Sequence, residues 1–253
     1  MNIKHIIATG VILLSASLAI AQEPVKAGVY NDSGQKPDST EEHKILSGET
    51  RFFQRFRFSL VTFQSGKGEF HFYPDDEQIL IVKEGELEIT LNDKRQIIGR
   101  GGVVHMLPGE MFTFDNVHKT PAVFYFMAFR SRLPQDSVRG KSNGGSVVVG
   151  WDEVEKKTTD KGFSRVFYNH PTSMTTKFDM HATTLKEGIA SHAPHTHAEE
   201  EIVLMLRGKG KMNVDGKFYD VVPGQLIFLS SEISHAIENA GKGECEYFAF
   251  QWK

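Results

Sequence analysis

The chain has 253 residues, of which 40% are hydrophobic and 24% charged, and its 29 basic and 32 acidic side chains leave a formal charge of −3. That length holds one large or two modest domains, with enough apolar residues for a core. Lys and Arg are scattered and form no dense basic patch, which argues against a nucleic-acid partner.

At the N-terminus, Lys4 and His5 precede an apolar stretch from Ile6 to Ile20, and Ala19-Ile20-Ala21 supplies small residues at a cleavage junction. Residues 1–21 are therefore read as a signal peptide, with a mature chain starting at Gln22 and working in the periplasm or outside the cell. The alternative is an uncleaved anchor, but the stretch is short for a membrane span of about 20 residues. No other segment approaches that length, so no membrane insertion is expected after cleavage. Export permits disulfides, yet Cys245 is the sole cysteine and no intramolecular bridge can form. Its setting, Glu244-Cys-Glu-Tyr-Phe-Ala-Phe250, has strand character, and a small buried hydrophobe is its expected role.

Residues 22–45 form a polar arm with two prolines, Pro24 and Pro37. In residues 46–131, short apolar runs are separated by turn signals such as Lys83-Glu-Gly85, Asn92-Asp93 and Arg100-Gly-Gly102. Phe56, Phe58 and Leu60 alternate with Arg55, Arg57 and Ser59, which predicts a strand with one wet face. Residues 132–161 form a connection rich in Gly, Ser and charge, with a short helix expected near Trp151 to Lys157. Residues 162–253 return to short apolar runs, with turns at Asp215-Gly216 and Pro223-Gly224. Asn92-Asp93 and Asp215-Gly216 suit tight hairpins, where positive φ must be tolerated. No long stretch has the helical period, so both units are read as all-β.

The two units are copies. A shift of 123 residues places Gln78-Ile-Leu-Ile-Val-Lys-Glu-Gly85 on Glu201-Ile-Val-Leu-Met-Leu-Arg-Gly208, and Leu91-Asn-Asp-Lys94 on Val214-Asp-Gly-Lys217. The same ungapped shift matches Gly101 with Gly224, Asn116 with Asn239, and Val123-Phe-Tyr125 with Glu246-Tyr-Phe248. One offset held over that span points to duplication.

The second copy carries the chemistry. His195 and His197, one residue apart, point to one side of an extended chain. Glu201 follows after a turn and opens the apolar run Ile202 to Leu206, and His235 lies further on. Three imidazoles and a carboxylate hold a divalent first-row metal and leave positions open for a substrate. The competing reading is a set of surface histidines in a charged loop.

The segment Gly188-x6-His195-x-His197-x3-Glu201-x6-Gly208 resembles the first motif of the cupin superfamily, one residue longer than usual between Gly188 and His195. Pro223-Gly224 with His235-x3-Asn239 is similar to the second, although Ser231 and Glu232 stand where proline or glycine is common. The resemblance implies a double-stranded β-helix enclosing the metal and, with the repeat, a bicupin of two such barrels in tandem. Residues 46–131 would be a degenerate, metal-free barrel and residues 162–253 the metal-binding one. The positions equivalent to His195, His197, Glu201 and His235 are Phe72, Pro74, Gln78 and Phe112, so the first barrel is expected to be filled with side chains. A one-residue slip would instead turn His71, Tyr73 and Glu77 inward. His105 and His118 align with Phe228 and Gly241 and restore no ligand.

The expected cofactor is one divalent metal ion, of iron, manganese, nickel, cobalt or zinc. His181 on the preceding strand and His192 just before the motif are candidates for acid/base work or support of the ligands. Arg165 and Asn169 are candidates for holding an anionic or hydroxylated substrate. The resemblance implies a metal-dependent enzyme acting on a small oxygen-rich molecule, of the quercetin-dioxygenase-like type, and the leader implies that it is exported. Two alternatives remain open. One is a non-redox isomerase or hydrolase of a sugar acid or ureide, as in the bicupin ureidoglycine aminohydrolases, whose ligand set departs from the one here. The other is a ligand-binding module without catalysis. Association into homo-oligomers is also left open.

Overall fold

A computed structural model of the chain describes residues 23–32, 41–65, 73–110 and 112–253; the leader and Phe72 with His71 lie outside them. The described residues form β1 (Gly28–Asn31), β2 (Glu41–Gly48), β3 (Phe53–Phe63), β4 (Glu77–Glu84), β5 (Leu87–Leu91), β6 (Lys94–Ile98), β7 (Val103–Met106), β8 (Phe112–Asp115) and β9 (Ala122–Ser131). Helix α1 (Ser137–Ser142) and β10 (Val147–Val149) follow. The second half contains β11 (Lys157–Thr159), β12 (Gly162–Asn169), β13 (Phe178–Leu185), β14 (Glu200–Arg207), β15 (Gly210–Val214), β16 (Lys217–Val221), β17 (Gln225–Leu229), β18 (His235–Asn239) and β19 (Cys245–Trp252). Two barrels result, each a large sheet facing a small one. The first pairs β10-β7-β4-β9-β3-β2 with β6-β5-β8, and the second pairs β1-β17-β14-β19-β13-β12-β11 with β16-β15-β18.

The constant offset in sequence is a constant register in space. Gln78 pairs with Ala128, and Glu201 with Gln251. The hairpins turn where expected: Asn92 and Asp93 have φ of 51° and 61°, Asp215 and Gly216 of 51° and 78°. The helix falls elsewhere than expected. It starts after Asp136, whose carboxylate accepts the Arg139 N–H at 2.8 Å, a favourable N-cap. Trp151–Glu153 is only a single 3-10 turn, and Lys157-Thr-Thr159, with two β-branched threonines, goes into β11.

The barrels exchange their first strands. β1 precedes the first barrel yet pairs with β17 of the second, Gly28 opposite Phe228 and Asn31 opposite Gln225. β10 precedes the second barrel yet pairs with β7 of the first, Val147 opposite His105 and Val149 opposite Val103. Each exchange covers an edge that would otherwise offer unpaired backbone groups.

The central strands of the large sheets, β4, β9, β14 and β19, are buried on both faces. Phe56, Phe58 and Leu60 lie in a core shared by the two barrels, with Phe129, Phe178, Phe248, Phe250 and Trp252. Phe53 stacks between Phe129, at 4.6 Å between centroids, and Trp252, at 5.2 Å. The opposite face of β3 is not the wet face its pattern suggests: it turns into the first barrel. Val61 and Phe63 join the interior there, while Arg57 bonds Tyr73 Oη and pairs with Glu42 at 3.2 Å, and Ser59 bonds Glu42 at 2.6 Å. Arg55 is held by the buried Asp76. The first-half phenylalanines are likewise divided. Phe63, Phe114, Phe124 and Phe126 fill the barrel, with Phe112 packed against them, whereas Phe53, Phe56, Phe58 and Phe129 form the seam.

Paired carboxylates stitch the seam. Glu200 accepts the Arg51 N–H at 2.8 Å and the Trp252 indole N–H at 3.0 Å. Its counterpart Glu77 accepts the Met174 N–H at 2.9 Å and meets His105 Nε2 at 2.7 Å. Glu77 therefore faces the other barrel, so the one-residue slip does not hold at this ligand position. Gln78 takes the place of Glu201 and is tied to the Tyr73 backbone at 3.0 and 3.1 Å. Tyr73 does turn inward, over Phe126. His105 is buried and structural, and His118 is a half-exposed partner of Glu86.

A fragment of residues 160 to 253 is expected to be insoluble or self-associating, because it would expose Trp252, Phe248 and Phe250 and uncover the β17 edge. Size-exclusion chromatography checks this; a stable monomeric fragment would count against the shared core as a requirement.

Candidate metal centre

The backbone brings the ligands together before any metal is considered. His195 and His235 form an isolated antiparallel bridge, with reciprocal N–H···O bonds of 3.2 and 3.0 Å. The turn before His235 is tightened by Glu232, a non-glycine at φ 64°, whose N–H bonds His197 O at 2.8 Å. Glu201 is the second residue of β14, with its side chain inward. The donor atoms of His195, His197 and His235 lie within 4.8 Å of one another. Glu201 Oε2 is 3.0 Å from His197 Nε2 and 3.2 Å from His235 Nε2. All four predicted ligands thus meet in one place.

The ring orientations suit a metal. His197 Nδ1 faces Glu199 O at 3.0 Å and His235 Nδ1 faces Ile233 O at 2.9 Å. Donation from Nδ1 fixes the tautomer and leaves Nε2 as the ligand atom. His235 Nε2 is buried and, though close to Glu201, makes no hydrogen bond, which is the deficit a bound cation would remove. Burial would raise the Glu201 pKa, but the His197 and His235 rings outweigh it and hold the carboxyl at about 2. Burial, then the neighbouring His192, His235 and His197, lowers His195. The hydrogen bond that its ring makes to the Glu201 carboxylate raises His197. The donor set therefore fits a divalent metal, with the carboxylate ionised and His195 neutral at pH 7.

A cavity of about 520 Å³ adjoins the centre and includes His195, Glu201 and His235 in its wall. Three substitutions between the repeats open space here. His235, Ile237 and Ala249 stand where the first barrel has Phe112, Phe114 and Phe126. Of the other sequence candidates, His181 and His192 line the cavity. The His192 ring lies 4.1 Å from that of His195, and its Nδ1 faces Ala193 O at 3.0 Å.

Arg165 does not belong to this wall. It pairs with Ala182, on the seam face of the sheet; its guanidinium bonds Val154 O and lies 5.0 Å over the Trp151 ring. Strand parity turns it away from the cavity, so the expected substrate contact is corrected to a packing role. Asn169 is exposed at the end of β12.

Two residues were missed. Gln251, directly opposite Glu201, donates to its Oε2 at 3.1 Å. Tyr247 lines the cavity from β19, and its burial raises the phenol pKa. The available signal was parity: Tyr247, Ala249 and Gln251 alternate with Phe248, Phe250 and Trp252, which face the seam.

A family model, the cupin domain, matches residues 59–128 and 182–250, more than half of the chain. The chain belongs to the cupin family, with two such domains in tandem. Among curated proteins, (S)-ureidoglycine aminohydrolase of Escherichia coli (strain K12) is 23% identical over 168 residues, 66% of this chain and 63% of that protein, so the match spans less than two thirds of the relative. Among solved structures, protein Ylba from E. coli superposes with a TM-score of 0.65 at 20% identity, over 88% of this chain and 86% of that one. AerE from Microcystis aeruginosa gives 0.63 at 16% identity, over 90% and 98%. Salicylate 1,2-dioxygenase from Pseudaminobacter salicylatoxidans gives 0.56 at 13%, over 78% and 70%. At these identities the structures establish the fold alone.

Elemental analysis of the purified protein is expected to find about one divalent metal per chain. His195→Ala or His235→Ala should remove most of it. Gln251→Leu should weaken affinity by about 10–100-fold, the usual effect of losing a residue that supports a ligand. Two metals per chain would overturn the division between the barrels.

Proposed function

We propose that the chain is a metal-dependent enzyme acting on a small oxygen-bearing molecule in the second barrel. The observation that carries this reading is the convergence of His195, His197, Glu201 and His235 beside a cavity, with the His197 and His235 rings anchored through Nδ1. A divalent metal held there would act as a Lewis acid and, if redox-active, would support oxidation by dioxygen. The dioxygenase-like reading is taken first, because the donor set suits iron(II) or manganese. Apolar side chains, among them Leu185, Val203 and Ile237, form much of the wall and would keep water from a bound molecule. A second reading, hydrolysis or isomerisation without oxygen, is favoured by His181 paired with Asp179 in the same cavity and by the similarity to an aminohydrolase.

With iron or cobalt in the site, sugar acids, aromatic diols or related organic acids are expected to change the metal spectrum at millimolar concentration, and an apolar compound of similar size is not. Oxygen uptake with such a ligand selects the first reading; turnover without uptake selects the second. If no oxygen ligand perturbs the spectrum, the site is closed and the enzyme reading fails.

Residues 1–21 support export of the mature chain, and none of the described helices is long and apolar enough to cross a membrane. N-terminal sequencing of the protein from its native cell is expected to begin at Gln22; an intact Met1 would overturn this.

A further inference from the structure

Away from the metal ligands, the cavity holds a histidine that already has an acidic partner. His181 and Thr183 reach into it from β13, and His181 Nδ1 lies 2.6 Å from Asp179 Oδ1. That contact draws the Nδ1 proton toward the carboxylate and leaves Nε2 available to a bound molecule. A carboxylate in this position fixes the tautomer of an imidazole and stabilises the imidazolium that forms when Nε2 takes a proton.

The fold does not require the pair. In the first barrel, Ser59 and Arg57 sit opposite Phe126 and Ala128, the places that His181 and Asp179 hold opposite Ala249 and Gln251. Ser59 and Arg57 are bound up with Glu42 and Tyr73 in a closed network. Between the two repeats, the His–Asp pair goes with the barrel whose histidines converge.

Its position is right for a group that acts across a substrate. β19 lies between β13 and β14, so His181 and Glu201 are two strands and one pleat apart. Ordinary strand geometry puts their backbones about 10 Å apart sideways and about 7 Å lengthwise. Both side chains enter the same cavity, and Ala249 between them leaves the space that Phe126 fills in the first barrel. A molecule of several heavy atoms, held by one oxygen at the metal centre, would present its far side to His181.

We propose that His181, oriented by Asp179, is the proton-transfer residue of this cavity and acts on an acidic hydroxyl a few atoms from the oxygen held at the metal centre. The inference rests on reading the cavity as the active site. In the step, the substrate O–H bond breaks, its electron pair stays on oxygen, and the proton passes to His181 Nε2. Asp179 then faces an imidazolium, which returns the proton when product forms. Aromatic diols and hydroxy-enols are the substrate class this geometry takes.

4-Nitrocatechol is the probe for the test, because its singly and doubly ionised forms differ in visible spectrum and zinc adds no colour. On the zinc-loaded full chain at neutral pH, the bound probe is expected to be doubly ionised. His181→Gln should leave it singly ionised while zinc content and β-sheet circular dichroism stay unchanged, and Asp179→Asn should reduce the conversion several-fold. Equal spectra with the parent protein and His181→Gln would overturn the proposal and leave the metal centre standing. If zinc-free His195→Ala shifts the probe as the parent does, the probe is not at the centre, and the active-site reading falls as well.

Discussion

Each barrel leaves the outer face of its large sheet apolar, and the rest of the structure depends on how that face is covered. The shared core of Phe53, Phe56, Phe129, Phe178 and Trp252 is as buried as either barrel interior. Burying side chains of this size stabilises by roughly 1.5–3 kcal/mol each, so the seam is a main source of stability rather than a loose contact between finished domains. The carboxylates within it have no access to water and need partners. Glu77 and Glu200 find them in backbone N–H groups of the opposite barrel, which fixes the relative position of the barrels as apolar contact alone could not. The exchanged strands β1 and β10 add backbone pairing to the same end.

A rigid seam lets the interiors diverge. The first barrel is closed by rings, with Phe63 and Phe114 at 4.7 Å and Phe114 and Phe124 at 5.6 Å. Its polar side chains satisfy one another: Gln78 is spent on the Tyr73 backbone, and Arg57 and Ser59 on Glu42. The second barrel replaces rings with His235, Ile237 and Ala249 and keeps unpaired capacity at its centre. Duplication thus yields one copy that stabilises and one whose hollow interior can serve chemistry, and neither needs the other's compromise.

The fold was legible because a repeat in register leaves a constant offset, and the clustering of the candidate ligands was legible because strand parity and turn length determine where His195, His197 and Glu201 point. Sidedness was legible only in part. Alternation on β3 separates Phe56 and Phe58 from Arg57 and Ser59, but it does not say that the phenylalanines meet a second barrel and the polar residues meet the first one's interior. Arg165 was misplaced for the same reason, since parity needs a known reference face. The exchange of β1 and β10 had no local signal, because a short strand's partner is chosen by the edge it can reach. Gln251 was hidden between Phe250 and Trp252, where an apolar run conceals its one inward polar group.

The centre itself shows why these residues gather although their mutual interactions are unfavourable. Burial and then the neighbouring imidazoles oppose protonation of His195, and burying Glu201 costs free energy unless a cation answers it. The raised His197 and the lowered Glu201 are two views of the same pairing. A divalent ion would answer the carboxylate and the unpaired His235 Nε2 together, and would turn the proximity of the rings from a cost into coordination. Because the seam and the filled first barrel hold the scaffold, the cost of crowding these groups stays local. The site can therefore be preformed, with His195, His197 and His235 placed by backbone bonds.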